Sequence, residues 1–241
     1  MKISVILPTY NYGHFIKRAI ESVLSQDYPV PKRELIIVEG GSTDNTLEIL
    51  SEYEDEVNLR VLNQNGKGLS NAVNQGILNS KGEYISRIDA DDIFLPGILS
   101  KESGVLDNNP DIGFVYPDYH SFIYNENKKV RKYLPDFSKE EVIGRGDFLS
   151  GGTMFRKSLF EKYGYYDEGI PNLDGYDMII RLMKNNVIGF HINEPLFEYT
   201  IHGSSMSDDT ELIDKTGEKI AKKYGLTYVK NRNHPRNIYS K

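Results

Sequence analysis

Through residues 1–92, short apolar runs alternate with segments of helical spacing, and this rhythm leaves few folds open. Ile3 to Leu7 is β-branched and closed by Pro8, and Ile16, Ala19, Ile20, Val23 and Leu24 follow at helical intervals, with Asn11 as the start signal. Leu35 to Val38 is stopped by Gly40-Gly41, and Ser42-Thr43-Asp44 opens a helix carrying Leu47, Ile49 and Leu50. Val57 to Leu62 reads as the third strand, Asn63 to Gly68 as a glycine-bearing loop, and Leu69, Ala72, Val73 and Ile77 as a third helix. A fourth strand, through Tyr84, Ile85 and Ile88, ends in Asp89-Ala90-Asp91-Asp92. Alternation of this kind predicts an α/β fold, with a mostly parallel, Rossmann-like sheet, right-handed crossovers and helices on both faces.

Beyond Asp92 the rhythm changes. Ile98 to Leu106 reads as a helix and Ile112 to Tyr116 as a strand; Phe122 to Tyr124 and Val130 to Leu134 read as a hairpin around residues 125–127. Gly151-Gly152 starts a turn into an extended segment, Tyr176, Ile179, Ile180 and Met183 form a helical stripe, and Phe197 to Ile201 leads to His202. The expectation is a nucleotide-binding half over 1–92, a second functional half with a smaller antiparallel portion over 93–205, and a C-terminal helix with a basic tail over 206–241. Lys222, Lys223, Lys230, Arg232 and Arg236 give that end its charge, which is either simply solvated or helps to hold an acidic ligand or, as a peripheral contact, an anionic membrane surface.

With 241 residues, 39% of them hydrophobic, the chain can bury a substantial core. A net charge of −6 argues against coating nucleic acid, which needs a clustered basic surface. The absence of cysteine excludes a disulfide framework, thiolate zinc sites and a cysteine nucleophile. Because no apolar run approaches the ~18 residues of a spanning helix, and Met1 to Val5 enters a strand rather than a signal peptide, a cytoplasmic protein is expected.

Residues two apart on an extended chain point the same way, so Asp89 and Asp91 can face one object across Ala90. Oxygen ligation with open positions for phosphate suits Mg²⁺ or Mn²⁺ better than Zn²⁺. The plain alternative is that aspartates collect at strand ends and that Asp92 caps the next helix.

Taken together, Val5 to Asn11, Ser22 to Gln26, Ile36 to Asp44, Gly66 to Gly76, Asp89 to Asp92, Gly151 to Arg156, Asp174 to Arg181 and His202 resemble, in order and spacing, the family 2 glycosyltransferases of GT-A fold. The resemblance runs from Ile3 to about Ser205. It implies transfer of a sugar from a nucleoside diphosphate donor, UDP-linked by preference and GDP-linked as the alternative, to a hydroxyl of a glycan or lipid-linked acceptor. Inversion, a divalent cation and a carboxylate general base go with it, and a homo-oligomer is compatible with it.

By the same resemblance Asp91 ligates the metal, Asp89 faces ribose or donor sugar, and His202 completes the metal sphere; otherwise His202 is a hydrogen-bonded loop residue. Pro8, Tyr10 and Glu39 stand where the nucleobase is held. Relatives often carry two aspartates where this chain has Glu39-Gly40, so either Glu39 reaches the base or backbone groups hold it and Glu39 complements Ser42, Thr43 and the helix dipole. Lys67 meets diphosphate or base, or is an exposed loop residue. The usual base position is Gly175, which leaves Asp174 as the expected base against a helix-capping role, with Asp177 as fallback against an ion pair with Arg181. Gly151 and Gly152 shape the acceptor side, or serve a turn needing positive φ. Two other readings are a sugar-nucleotide binding or scaffold protein without turnover, kept open by Gly40 and Gly175, and a sugar-nucleotide pyrophosphorylase, which lacks its glycine-rich triphosphate loop here.

Overall fold

The computed structural model describes residues 1–145, 151–203 and 209–228. Strand β1 (Ile3–Thr9) lies between β2 (Arg33–Glu39) and β4 (Tyr84–Arg87), with β3 (Leu59–Asn63) outside β2, and these four are parallel. Every residue of β1, β2 and β4 is buried, as suits strands covered on both faces. The crossovers are α1 (Ile16–Leu24), α2 (Thr46–Ser51) and α3 (Leu69–Leu78). In α3, Gly76 lets the helix lie directly on β1, since a Cβ there would come 2.4 Å from Ile6.

The sheet continues through both segments read from the sequence, in the order β3-β2-β1-β4-β8-β6-β9-β5, with β7 paired to β6. The seam is β8 (Met154–Arg156), antiparallel to both β4 and β6 (Ile112–Ile123). Next comes β9 (Ile188–Ile201), parallel to β6 and followed by the short β5 (Ile93–Phe94), while β7 (Lys128–Lys132) forms the antiparallel hairpin. The fold is thus α/β, with a parallel block and a mixed second part.

Several local expectations change. The strand read at Ile112 to Tyr116 and the hairpin arm read from Phe122 belong to one strand, which ends at Ile123, because the pairing with β9 shifts register around Pro117 and lets the chain run on; Tyr124 already lies in the 3-10 turn Tyr124–Glu126. Asn11 does not start α1: it has φ +59°, and its Oδ1 accepts the Thr43 N–H at 2.7 Å, tying the first two loops together. Nor does Asp92 cap α4 (Ile98–Asn108); it is buried and accepts the Thr200 N–H at 2.9 Å.

Four more helices complete the described chain: α5 (Lys139–Arg145), α6 (Lys157–Tyr163), α7 (Asp174–Lys184) and α8 (Thr210–Tyr224). In α7, Tyr176, Ile179, Ile180 and Met183 are buried, as their spacing predicts. The Asp209 side chain caps α8, which buries Ile213, Ile220 and Ala221. Lys223 is engaged within the molecule, by Asp167 and Asp177, whereas Lys230, Arg232 and Arg236 lie outside the described residues. Among the described residues no helix is long and apolar enough to cross a membrane.

Candidate active site

Chain direction creates a crevice. From β1 the chain steps outward to β2 and β3, then returns to place β4 on the other side of β1, and such reversals are where open α/β sheets leave room for ligands. Pairing of β1 with β4 stops at Ile6 and Arg87, so the loops after Thr9 and Ile88 part from one another there. Pro8 sits in buried β1 opposite Val38, Thr9 is level with Glu39, and Tyr10 stands 55% exposed at the mouth.

Asp91 and His202, separated by 111 residues, meet here with Nε2 at 2.9 Å from Oδ2. Phe15 stacks on the imidazole with centroids 4.8 Å apart, and Tyr12 approaches it edge-on at 6.1 Å. Burial together with the charges of Asp91, Asp89 and Asp92 raises the Tyr12 hydroxyl above its ordinary value, so it stays protonated. Burial, reinforced by Asp91 and Asp89, also pushes Asp92 well above the carboxylate range.

Asp89 turns sideways onto Arg87, with Nε to Oδ1 at 2.7 Å and Nη2 to Oδ2 at 3.1 Å. The remaining arm of the same guanidinium, Nη1, bonds Asp174 Oδ2 at 2.5 Å. Although burial alone would lower it, the Asp174 and Asp89 charges hold Arg87 well above its ordinary value. Asp174 is the first residue of α7 yet makes no cap bond to it; its side chain reaches Arg87 instead, which corrects the capping alternative.

The other expected residues divide. Glu39 is buried, and its carboxylate accepts the N–H groups of Gly41 at 2.9 Å and Ser42 at 2.6 Å, so it shapes the loop bordering the crevice. Beside it, a Cβ on Gly40 would come 3.0 Å from Gln64 Oε1. Lys67 is exposed, between Gly66 and Gly68, both at positive φ. Gly152 has φ +73°, and a Cβ there would come 2.6 Å from the Phe197 ring, while one on Gly151 would come 3.2 Å from Asp92 Oδ2. Both glycines therefore permit close approach beneath the crevice, and the Gly152 N–H is held by the Arg87 carbonyl at 3.0 Å. Asp177 is fully buried, with Oδ2 on Arg181 at 3.1 Å and Oδ1 on Lys223 at 2.8 Å and Tyr224 at 3.0 Å. With both oxygens so engaged it joins α7 to α8, a placement that argues against its use as fallback base.

Arg87, Tyr12, Phe15 and Asn172 were not among the residues expected at the site. A charged residue inside an otherwise apolar strand was the available signal for Arg87, since a buried charge requires partners. Asn172 is buried with neither amide atom hydrogen-bonded among the described residues, one residue before Leu173 at φ +57° and two before Asp174.

Among the described residues no three metal-ligating side chains gather. The pair Asp91 and His202, one carboxylate and one imidazole, nevertheless fits a divalent cation whose remaining positions would be left to phosphate oxygens and water.

The family model "Glycosyl transferase family 2" matches residues 4–164. An uncharacterized glycosyltransferase of Rickettsia typhi is 30% identical over 216 residues, covering 86% of this chain and 66% of that relative. A chondroitin synthase of Escherichia coli is 28% identical over 207 residues, 85% of this chain but 30% of the synthase. The chain thus spans just under two thirds of the first relative and less than a third of the second. Among solved structures, S. aureus TarS 1-349 in complex with UDP-GlcNAc has a TM-score of 0.73 at 21% identity, covering 95% of this chain and 68% of that one. The mannosyltransferase PcManGT of Pyrobaculum calidifontis, in complex with GDP-Man and Mn²⁺, also gives 0.73, at 19% identity and with 97% and 67% covered. These structures identify the fold as the GT-A type. With the family model matched from β1 through α6, the chain belongs to glycosyl transferase family 2.

Proposed function

We propose that this protein transfers a sugar from a nucleoside diphosphate sugar to a hydroxyl of a glycan or lipid-linked acceptor, with inversion at the anomeric carbon. The observation that carries the reading is the meeting of Asp91 and His202 after β4, in a carboxylate motif that Arg87 ties to Asp174 of α7. Donor binding is supported by the sugar nucleotides held by TarS and PcManGT, and a polysaccharide acceptor by the likeness to chondroitin synthase.

In this reading the diphosphate lies at Asp91 and His202, which would hold Mn²⁺ or Mg²⁺. When bound, such an ion would supply positive charge to offset that of the departing diphosphate. Asp89 faces the ribose and donor sugar, Pro8 and Tyr10 border the nucleobase, Glu39 keeps its loop closed beneath it, and Lys67 reaches the diphosphate from the loop tip. Asp174, whose Oδ1 lies outside the Arg87 pair, accepts the acceptor proton as the hydroxyl oxygen bonds to the anomeric carbon. The bond from that carbon to the diphosphate breaks at the same time, and Gly151 and Gly152 border the acceptor. We place the reaction on the cytosolic side, where sugar nucleotides are the donors. A second reading, donor binding without turnover, is favoured by Gly175 at the usual base position, and release of nucleoside diphosphate eliminates it.

The test is a thermal titration with UDP, GDP, CDP and ADP, with and without Mn²⁺. At a hundred times the dissociation constant a ligand adds about 2.7 kcal/mol, a rise of roughly 5–10 °C for a chain of this size. One nucleotide, UDP by preference, is expected to give that rise only with metal, and Asp91→Asn to abolish it. A full metal-dependent rise in Asp91→Asn refutes the assignment.

A further inference from the structure

We propose that Arg87 is a positioning residue that aims the base Asp174 and the donor-side Asp89 together, an inference that rests on the transferase reading above. Its side chain is 9% exposed, and all three guanidinium nitrogens are spent on two carboxylates, two on Asp89 and one on Asp174. A guanidinium is a rigid planar fork, so two carboxylates bound to one fork are fixed in direction relative to each other. The fork itself is held firmly. The Arg87 backbone is level with Ile6 in the parallel pairing of β1 with β4, and its carbonyl accepts the Gly152 N–H at 3.0 Å. One residue at the end of β4 therefore ties together the carboxylate motif, the glycine turn into β8 and the start of α7.

The direction of Asp174 is what this arrangement decides. A carboxylate in the first turn of a helix ordinarily turns toward that helix's free N–H groups. Asp174 instead leaves α7 for Arg87, at a helix start where the preceding Leu173 holds φ +57°. The bond takes Oδ2, so the heading of Oδ1, the oxygen assigned to the acceptor proton, follows from the Arg87 plane. Catalysis is steep in such placement, and a shift of about 1 Å can cost on the order of 100-fold in rate.

The experiment is steady-state release of nucleoside diphosphate from UDP-GlcNAc, or from GDP-mannose, in the presence of Mn²⁺. It compares the wild type with Arg87→Gln, Arg87→Lys, Asp174→Asn, Asp89→Asn and the double variants pairing Arg87→Gln with each aspartate change. Arg87→Gln is expected to lower kcat about 100-fold and raise the donor KM, with part of the kcat regained in Arg87→Lys. The kcat loss should vanish in the Asp174→Asn background and the KM rise in the Asp89→Asn background, because each effect passes through that partner. Losses that multiply in both backgrounds, or a lowered melting temperature with unchanged kcat, overturn the role while leaving the transferase reading intact. If Arg87→Gln does not fold, the same comparisons made with Arg87→Lys decide the matter. A wild type that releases no diphosphate removes the transferase reading, and this role with it.

Discussion

A carboxylate's role here depends on what its oxygens touch. Asp91, Asp174, Asp177 and Glu102 are all acids at or inside the surface, and only their partners separate candidate chemistry from packing. Glu102, in α4, is fully buried with neither oxygen hydrogen-bonded among the described residues, and burial raises its carboxyl well above the ordinary range. It is therefore neutral when folded but ionises in the unfolded chain at about pH 4.3. Its sign follows: the folded state is least penalised below that pH and loses stability as pH rises toward the folded value. Glu102→Met, which keeps the length and removes both unpartnered oxygens, is expected to raise stability at pH 8 by about 1–3 kcal/mol. Urea denaturation at pH 8 and pH 5 checks this, and the gain should shrink at the lower pH. Asp91 and His202 were legible as residues because their order matched a family pattern. Arg87 was not, because its importance lies in two contacts, one of them made 87 positions away.

At the scale of elements, the strand and helix alternation of the first half could be read because parallel strands buried on both faces are continuous apolar runs. The second half was read less completely. The strand read at Ile112 to Tyr116 runs on past Pro117 through a register shift, and the two-residue β5 is too short to carry a pattern. The junction of α7 and α8 shows the same limit. The i,i+4 pair of Asp177 and Arg181 was visible in the sequence, but the Lys223 and Tyr224 contacts required the helices to be folded together. Asp177→Asn is expected to cost about 3 kcal/mol, mostly through the half-buried Arg181 side, since the Lys223 arm is 41% exposed and screened. Hydrogen exchange should rise across Thr210–Tyr224 first, with donor binding retained. Lost donor binding with α8 still protected would instead return Asp177 to the crevice.

On the scale of the whole molecule, one sheet crosses the boundary at residue 92, and β8 stitches the parallel block to β6. We propose that residues 1–92 and 93–205 are two halves of one cooperative unit, and calorimetry is expected to show a single transition with equal calorimetric and van't Hoff enthalpies. Two resolved transitions would mean that the halves melt apart. The sequence by itself determined the periodicities, the α/β class, the carboxylates at the end of the fourth strand and the family likeness, because these are properties of local spacing and order. Only the tertiary structure decided the strand order, the crevice beside β1, the pairing of Asp91 with His202 and the Arg87 link from Asp89 to Asp174. Those depend on which distant segments share a sheet, and on how buried charges find partners once water is excluded.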